Sequence, residues 1–387
     1  MVGLATAAFD STADTPYLAV APAGYRQPAQ LTGLRPTTLT AADNQADFLI
    51  ITTEGLLAAV EPLAEARRTE GLVTQVVDVA EIYDHFGAGH ATPEAITHFL
   101  RHTAETWADP APRYVLLVGR ATYDYRNYLG QHPTQHLPAL MIPVTHSGET
   151  VSDSRMADID GDYHPDMAIG RWPVDSPAAV SDLVQRTLAY EQAPLAGHAL
   201  FAADGTSAEF TDLSDYLVTE SAVGDKTAVN KLYGATQETV TAGWNEGAWL
   251  VSYVGHGSLN LWGKDNVFNA DGVAGLQSNG TAPPIVLQFT CLTGFFAHPT
   301  EVSLSERMLT SPDGPVLLVA ATSLTLSAYQ RPFALSLLNH LQDPAMTRMG
   351  DVLQAAKLEL PVADLGVREI SDTFGLLGDP TAKIVRP

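Results

Sequence analysis

"DFLIITTEGLLAAVEPLAEARRTEGLVTQVVDVAEIY", residues 47–83, decides the fold class. DFLIITT (47–53) is a continuous apolar run of the kind found in strands buried on both faces. EGLLAAVEPLAEARRTEG (54–71) has helical spacing and closes on Gly71, which suits a C-cap, while Pro62 inside it predicts a kink. LVTQVVDVAEIY (72–83) reads as a second strand. Strand, helix and strand in that order make a crossover unit with two parallel strands.

The alternation continues outward. TPEAITHFLRHTAETW (92–107) predicts a helix with Thr92 as N-cap and Pro93 in its first turn, and RYVLLVG (113–119) predicts another strand. Residues 121–166 are loop-rich; MAIGRWPV (167–174) and the helix PAAVSDLVQRTLAYEQ (177–192) close this half. The second half restarts with strand candidates HALFAAD (198–204), AWLVSYVG (248–255), PIVLQFT (284–290) and GPVLLVAATS (314–323). The pattern predicts an α/β protein with mostly parallel sheets flanked by helices on both faces. Two packed subdomains are expected, 46–195 and 196–387, meeting at EQAPLAGH (191–198). Residues 1–45 read as an N-terminal leader, or as the end of a preceding β-rich module.

Composition narrows the function. With 44 acidic against 21 basic residues the net charge is −23, which argues against nucleic acid or an anionic membrane surface as partner. The longest apolar runs, such as Pro315–Ala321, fall far short of the ~20 residues that insert into a membrane. The opening MVGLATAAFDSTADTPY lacks the basic and apolar regions of an intact secretory signal. A single cysteine, Cys291, rules out an intrachain disulfide and a cysteine-built zinc site. The oligomeric state is left open.

In an open parallel sheet, reactive groups collect beyond the C-terminal ends of the strands. Three second-half strands end in such groups: LFAADG in Asp204, WLVSYVGHGS in His256 between two glycines, and IVLQFTCLTG in Cys291. A free thiol of pKa ~8.5 is only partly ionised at neutral pH, and a nearby imidazole takes its proton or later protonates a leaving amine. The N–H groups of Gly257 and Cys291 are candidate donors to an oxyanion. Each residue also has an ordinary structural reading. A lone cysteine at a strand end serves as a small buried hydrophobe, most histidines are structural, and an aspartate before a glycine caps a turn. In DIDGDYHPD, Asp158, Asp160 and Asp162 alternate as calcium ligands do, yet the EF-hand pattern fails and a solvated acidic turn is the favoured reading.

LVSYVGHGSLNLW (250–262) followed by PIVLQFTCLTGFF (284–296) resembles the core of gingipain-type cysteine peptidases, whose fold is similar to that of caspases. DFLIITTEG, PEAITHFLRH, RYVLLVG, DGDYHPDMAIGRWPV, AYEQ and LLGDP are similar to family landmarks and stand in the family's order. The resemblance implies a caspase-like three-layer sandwich, and a cysteine endopeptidase acting on protein or peptide through a thioester acyl-enzyme. It places Cys291 as nucleophile, His256 as general acid/base, Asp204 as the supporting acid, and Gly257 and Cys291 N–H in the oxyanion hole. It implies no cofactor for the chemistry, allows structural calcium, and points to a secreted or cell-surface setting. Tyr329, in ATSLTLSAYQRP, becomes a candidate pocket wall, whereas basic specificity has no confident determinant in TSAEFTDLSDY. Arg120 departs from the family's usual aspartate. Two alternatives stay open: a sortase-like transpeptidase processing surface proteins, and a non-catalytic interaction module.

Overall fold

The structure, a computed structural model, describes residues 10, 20–26, 33–131, 137–195 and 197–387. Much of the segment read as a leader lies outside the described residues; Pro22–Gly24 forms a 3-10 turn, and residues 33–45 hold no strand. Residues 36–387 form one compact unit. Its strands are β1 (Phe48–Thr52), β2 (Thr74–Asp78), β3 (Tyr114–Val118), β4 (Met141–Val144), β5 (Gly148–Val151), β6 (Ala168–Trp172) and β7 (His198–Ala203). There follow β8 (Ala228–Tyr233), β9 (Ala248–Val254), β10 (Gly257–Ser258), β11 (Leu261–Trp262), β12 (Ile285–Phe289), β13 (Leu318–Ala321) and β14 (Phe374–Leu377).

One 10-stranded sheet carries the fold, in the order β2-β1-β3-β6-β14-β13-β12-β9-β7-β8. The strands β2, β1, β3, β6 and β14 are parallel to one another. So are β13, β12, β9, β7 and β8, and the antiparallel pair β13–β14 joins the two blocks. The blocks therefore run in opposite senses. The C-terminal ends of β7, β9, β12 and β13 gather at one edge of the sheet, and those of β1, β3 and β6 at the other. Groups at the ends of second-half strands meet each other, not the ends of first-half strands.

Every residue of β1, β3 and β12 is buried, as continuous apolar runs require. On one face, Phe48, Leu116, Leu200, Val251 and Val286 share a core with helices Leu57–Thr69, Pro177–Tyr190, Gln237–Asn245 and Leu304–Thr310. The opposite face has two cores. One lies under Ala208–Glu220, Ser327–Leu341, Met349–Leu358 and Leu365–Thr373. The other lies under Val79–Phe86 and Pro93–Thr106. Helix, sheet and helix make three layers, with a common core on one side and a divided one on the other.

Two local readings change, and the helix end at Gly71 stands. Residues 72–83 split into β2 and the helix Val79–Phe86, because the Asp78 carboxylate accepts the Ala80 N–H (3.0 Å) and starts a helix there. The helix over Leu57–Thr69 continues through Pro62 and ends before Gly71, whose φ of +94° suits only glycine. The loop-rich stretch contains the hairpin β4–β5. With four residues per strand and a proline in one, its alternation is too short to stand out in sequence.

Arg67, 0% exposed, ties both halves together. Its guanidinium donates to Glu191 (2.7 and 2.9 Å), Asp379 (2.7 Å), Thr381 Oγ1 (2.8 Å) and Glu70 (3.0 Å). Burial alone would lower its pKa; the charges and hydrogen bonds of Asp379 and Glu191 more than offset this and raise it. Removing one member of a buried ionic group leaves the others unpaired. Arg67→Ala is expected to destabilise the fold by about 3–5 kcal/mol, read as a lower midpoint in urea denaturation.

Candidate active site

The site begins with strand register. Ala203 pairs with Val254, and Val254 pairs with Phe289, so β7, β9 and β12 end abreast. The next residues are Asp204, the turn Gly255–His256–Gly257, and Thr290–Cys291. The glycines on either side of His256 are dictated by crowding. A Cβ on Gly255 would lie 2.4 Å from the Asp204 Cβ and from the Tyr253 hydroxyl; one on Gly257 would lie 2.3 Å from Thr290 Oγ1 and 3.0 Å from the Cys291 carbonyl oxygen. The turn thus lies flat between the ends of the two neighbouring strands.

The main chain of His256 is held from three directions. Its N–H donates to Asp204 Oδ2 (3.3 Å), and its carbonyl accepts from the Tyr253 hydroxyl (2.8 Å) and the Gly263 N–H (2.7 Å). The half-buried imidazole meets the Phe210 ring edge-on, with centroids 4.9 Å apart. Tyr253 in turn stacks on Trp262 at 4.5 Å, and the Trp262 Nε1–H donates to Gln288 Oε1 (2.9 Å), which links β9 to β12 beneath the site.

Cys291 is half-buried and free. Its thiol donates to the Thr325 carbonyl (3.5 Å), and the Thr325 N–H donates to Sγ (3.4 Å). Directly after it the chain makes a three-residue turn, in which Thr293 N–H donates to the Cys291 carbonyl (2.7 Å) and Leu292 has a φ of +60°. Such a turn is rare and strained for a leucine. It is held by Leu292 N–H to Ser323 O (3.1 Å) and Gly294 N–H to Ala321 O (2.9 Å). The Cys291 N–H itself has no hydrogen-bond partner among the described residues.

The first half reaches this site through a feature that sequence reading missed. Thr322 Oγ1 donates to the Val151 carbonyl (2.7 Å), Thr150 Oγ1 to the Thr322 carbonyl (2.5 Å), and the Leu324 N–H to Ser147 Oγ (3.0 Å). Hairpin β4–β5 therefore clamps the segment that touches the sulfur. The contacts lie about 170 residues apart along the chain (171, 172 and 177), so no local pattern announces them.

The other candidates fall as follows. Asp204, 1% exposed, accepts the N–H groups of Thr206 (2.9 Å) and His256; its hydrogen bonds reach the histidine's main chain, and none reaches the ring among the described residues. Burial would raise its pKa, but the hydrogen bonds from Thr206 and His256 and the nearby imidazole bring it below the usual carboxylate value. A polar cleft of about 740 Å³ opens beside it, lined by Thr206, Glu238, Asp265 and Asp271 among others. Tyr329 lines a separate cavity of about 300 Å³ that includes Thr325. In the acidic loop the converging carboxylates are those of Asp158, Asp160 and Asp166; Asp162 instead accepts the His164 N–H (2.8 Å). Their oxygens are hard donors of the kind calcium takes, though Asp158 also accepts the Gly161 N–H (2.9 Å) and Asp166 the Ile159 N–H (2.7 Å). Arg120 pairs with Asp175 at 3.8 Å, within the first-half block.

The mostly parallel 10-stranded sheet, covered by helices on both faces, with a cysteine and a histidine at the ends of adjacent strands, defines a caspase-like α/β protein. The model of peptidase family C25 matches residues 41–385, and the chain belongs to that family. Gingipain R2 of Porphyromonas gingivalis is 24% identical over 293 residues, which are 71% of this chain and 36% of that protein. Gingipain R1 of the same species is also 24% identical over 293 residues, 27% of its length. This chain thus spans about a third of these relatives, or less. In fold it is similar to the crystal structure of the Arg-specific cysteine proteinase gingipain R (RgpB), with a TM-score of 0.72 and 20% identity over 92% of this chain and 80% of that one. A complex of the RgpB pro- and mature domains gives a TM-score of 0.69 at 22% identity, covering 88% of this chain and 79% of that one.

Asp204→Asn puts an amide where a carboxylate accepts two N–H groups, so one donor faces another. A loss of about 1–3 kcal/mol is expected at neutral pH. Because the folded-state pKa lies below the unfolded value of 3.8, the wild type's advantage is full above that value and is lost as pH falls through the folded one. The two denaturation midpoints should converge in acid.

Proposed function

We propose that this protein is a cysteine endopeptidase in which Cys291 attacks the peptide carbonyl and His256 carries the proton. The observation that carries the reading is the register of β9 and β12, which sets the Gly255–His256–Gly257 turn against the Thr290 side chain and the Cys291 carbonyl. Membership of peptidase family C25 supports it. His256 takes the Sγ proton, the sulfur bonds to the carbonyl carbon, and the carbonyl electron pair moves to oxygen. The N–H groups of Cys291 and Gly257 meet the oxyanion, and the first of these is left without another partner among the described residues. Collapse breaks the C–N bond, and the amine leaves with the proton from His256. Water then gives a proton to His256 and attacks the thioester. The C–S bond breaks and the sulfur regains its proton.

In this scheme Asp204 is a positioning residue. It holds the main chain of the histidine by accepting its N–H. The substrate is a protein or peptide, and none of these steps needs a cofactor. A structural calcium at Asp158, Asp160 and Asp166, outside the chemistry, belongs to the same proposal and rests on their convergence. A secreted or cell-surface setting belongs to it as well, from the family; no described helix is long and apolar enough to cross a membrane.

A peptidyl acyloxymethyl ketone alkylates a nucleophilic cysteine and leaves a mass adduct. We expect one adduct on the wild type in reducing buffer and none on Cys291→Ala. A wild type that stays unlabelled while folded would instead point to an interaction module.

A further inference from the structure

The helix Leu304–Thr310 starts against the two chain segments that carry His256 and Cys291. A helix leaves its first four N–H groups without partners of its own. Here all four are met. The Ser303 N–H donates to Glu306 Oε2 (2.8 Å), and the Glu306 N–H donates back to Ser303 Oγ (3.3 Å). The two N–H groups between them bond outside the helix. That of Leu304 donates to the carbonyl of Leu259 (2.8 Å), three residues after His256. That of Ser305 donates to the carbonyl of Thr293 (3.1 Å), two residues after Cys291. The Ser305 hydroxyl also accepts from Gln288 Nε2 (2.7 Å), whose Oε1 holds Trp262.

We propose that Glu306 is a positioning residue for the reaction: through Ser303 it fixes the first turn of this helix, and that turn holds the His256 and Cys291 segments at a set spacing. This inference rests on Cys291 being the nucleophile. Glu306 differs from an ordinary helix cap in its surroundings. It is 4% exposed, whereas a second capping box, of Thr236 and Thr239, lies at the surface. Burial pushes the Glu306 carboxyl up to about 7, and the Ser303 hydrogen bonds and the charges of Arg120 and Arg307 only partly offset this. A carboxyl held at that cost marks a place where its bonds matter. Without it the Ser303 N–H is left buried and unpaired, and the turn that grips both carbonyls loosens. Misplacing a reacting group by about 1 Å costs on the order of a hundredfold in rate.

The test uses the full chain and a peptidyl acyloxymethyl ketone, whose reaction with Cys291 separates into binding (KI) and alkylation (kinact). Every variant is compared well below its own thermal midpoint. Glu306→Ala should lower kinact by about tenfold or more and leave KI within about twofold. Glu306→Gln keeps an oxygen that accepts the Ser303 N–H, so it should bring kinact back to within about twofold of the wild type. Thr310→Val removes the bond from the Thr310 hydroxyl to the Glu306 carbonyl (2.7 Å) at the far end of the same helix, and should change neither constant. An equal fall of kinact in Thr310→Val would assign the effect to helix stability and overturn the inference. So would a wild-type kinact in Glu306→Ala, or a glutamine that fails to restore it. Should Glu306→Ala not fold, Ser303→Ala takes its place: a severalfold lower kinact supports the inference and an unchanged one overturns it. A folded wild type that the ketone does not label would remove the nucleophile, and the positioning role with it.

Discussion

The constraint on which this molecule most depends is the parallel register of β7, β9 and β12. Parallel pairing brings the ends of successive strands to one edge, and here Ala203, Val254 and Phe289 finish in line. Asp204, His256 and Cys291 are then neighbours, although 52 residues separate the first two. A one-residue slip would turn every side chain of a strand to the other face and so cost the core as well as the site. The same interdigitation that stabilises the sheet therefore sets the site's geometry.

A second constraint keeps the sheet in one piece. The two blocks of parallel strands oppose each other in direction, and within the sheet the antiparallel pair β13–β14 joins them. Arg67 reinforces that junction from the helix layer, holding Glu191 at the end of one half and Asp379 just beyond β14. Glu191 and Asp379 lie within AYEQ and LLGDP, two of the stretches that mark the chain's resemblance to its family. Their place around a buried guanidinium gives those landmarks a structural reason, apart from the chemistry. A buried arginine is retained only when its donors are all met, which explains why acids from distant segments converge on it.

The opposition of the blocks also explains why the first half contributes to the site by reach instead of by strand ends. The ends of β1, β3 and β6 face the far edge, so the first half arrives at Cys291 through hairpin β4–β5. That hairpin fixes residues 322–325, and these hold the sulfur and border the Tyr329 cavity. The hairpin and the sulfur are thus held by one segment of chain.

Much was legible in the residues themselves. Continuous apolar runs announced the buried strands β1, β3, β7, β9 and β12, because a strand covered on both faces has no polar side to show. The glycines around His256 and the lone cysteine after an apolar run marked the edge where the candidate site lies, since close approach and strand-end placement leave local traces. Other features left none. β8 is an edge strand with a largely exposed pattern, β4–β5 is too short for its period to register, and Asp78 turned the second part of an expected strand into a helix. Which carboxylates converge in the acidic loop, that Asp204 holds the main chain of His256, and that Thr325 meets the sulfur are relations between segments far apart or sharply folded. Sequence by itself determined the buried strands, the layers and the candidate residues at one sheet edge, because burial and chain geometry act locally. The opposed blocks, the clamp and the cavity were decided only in the tertiary structure, where long-range packing sets which ends and loops meet.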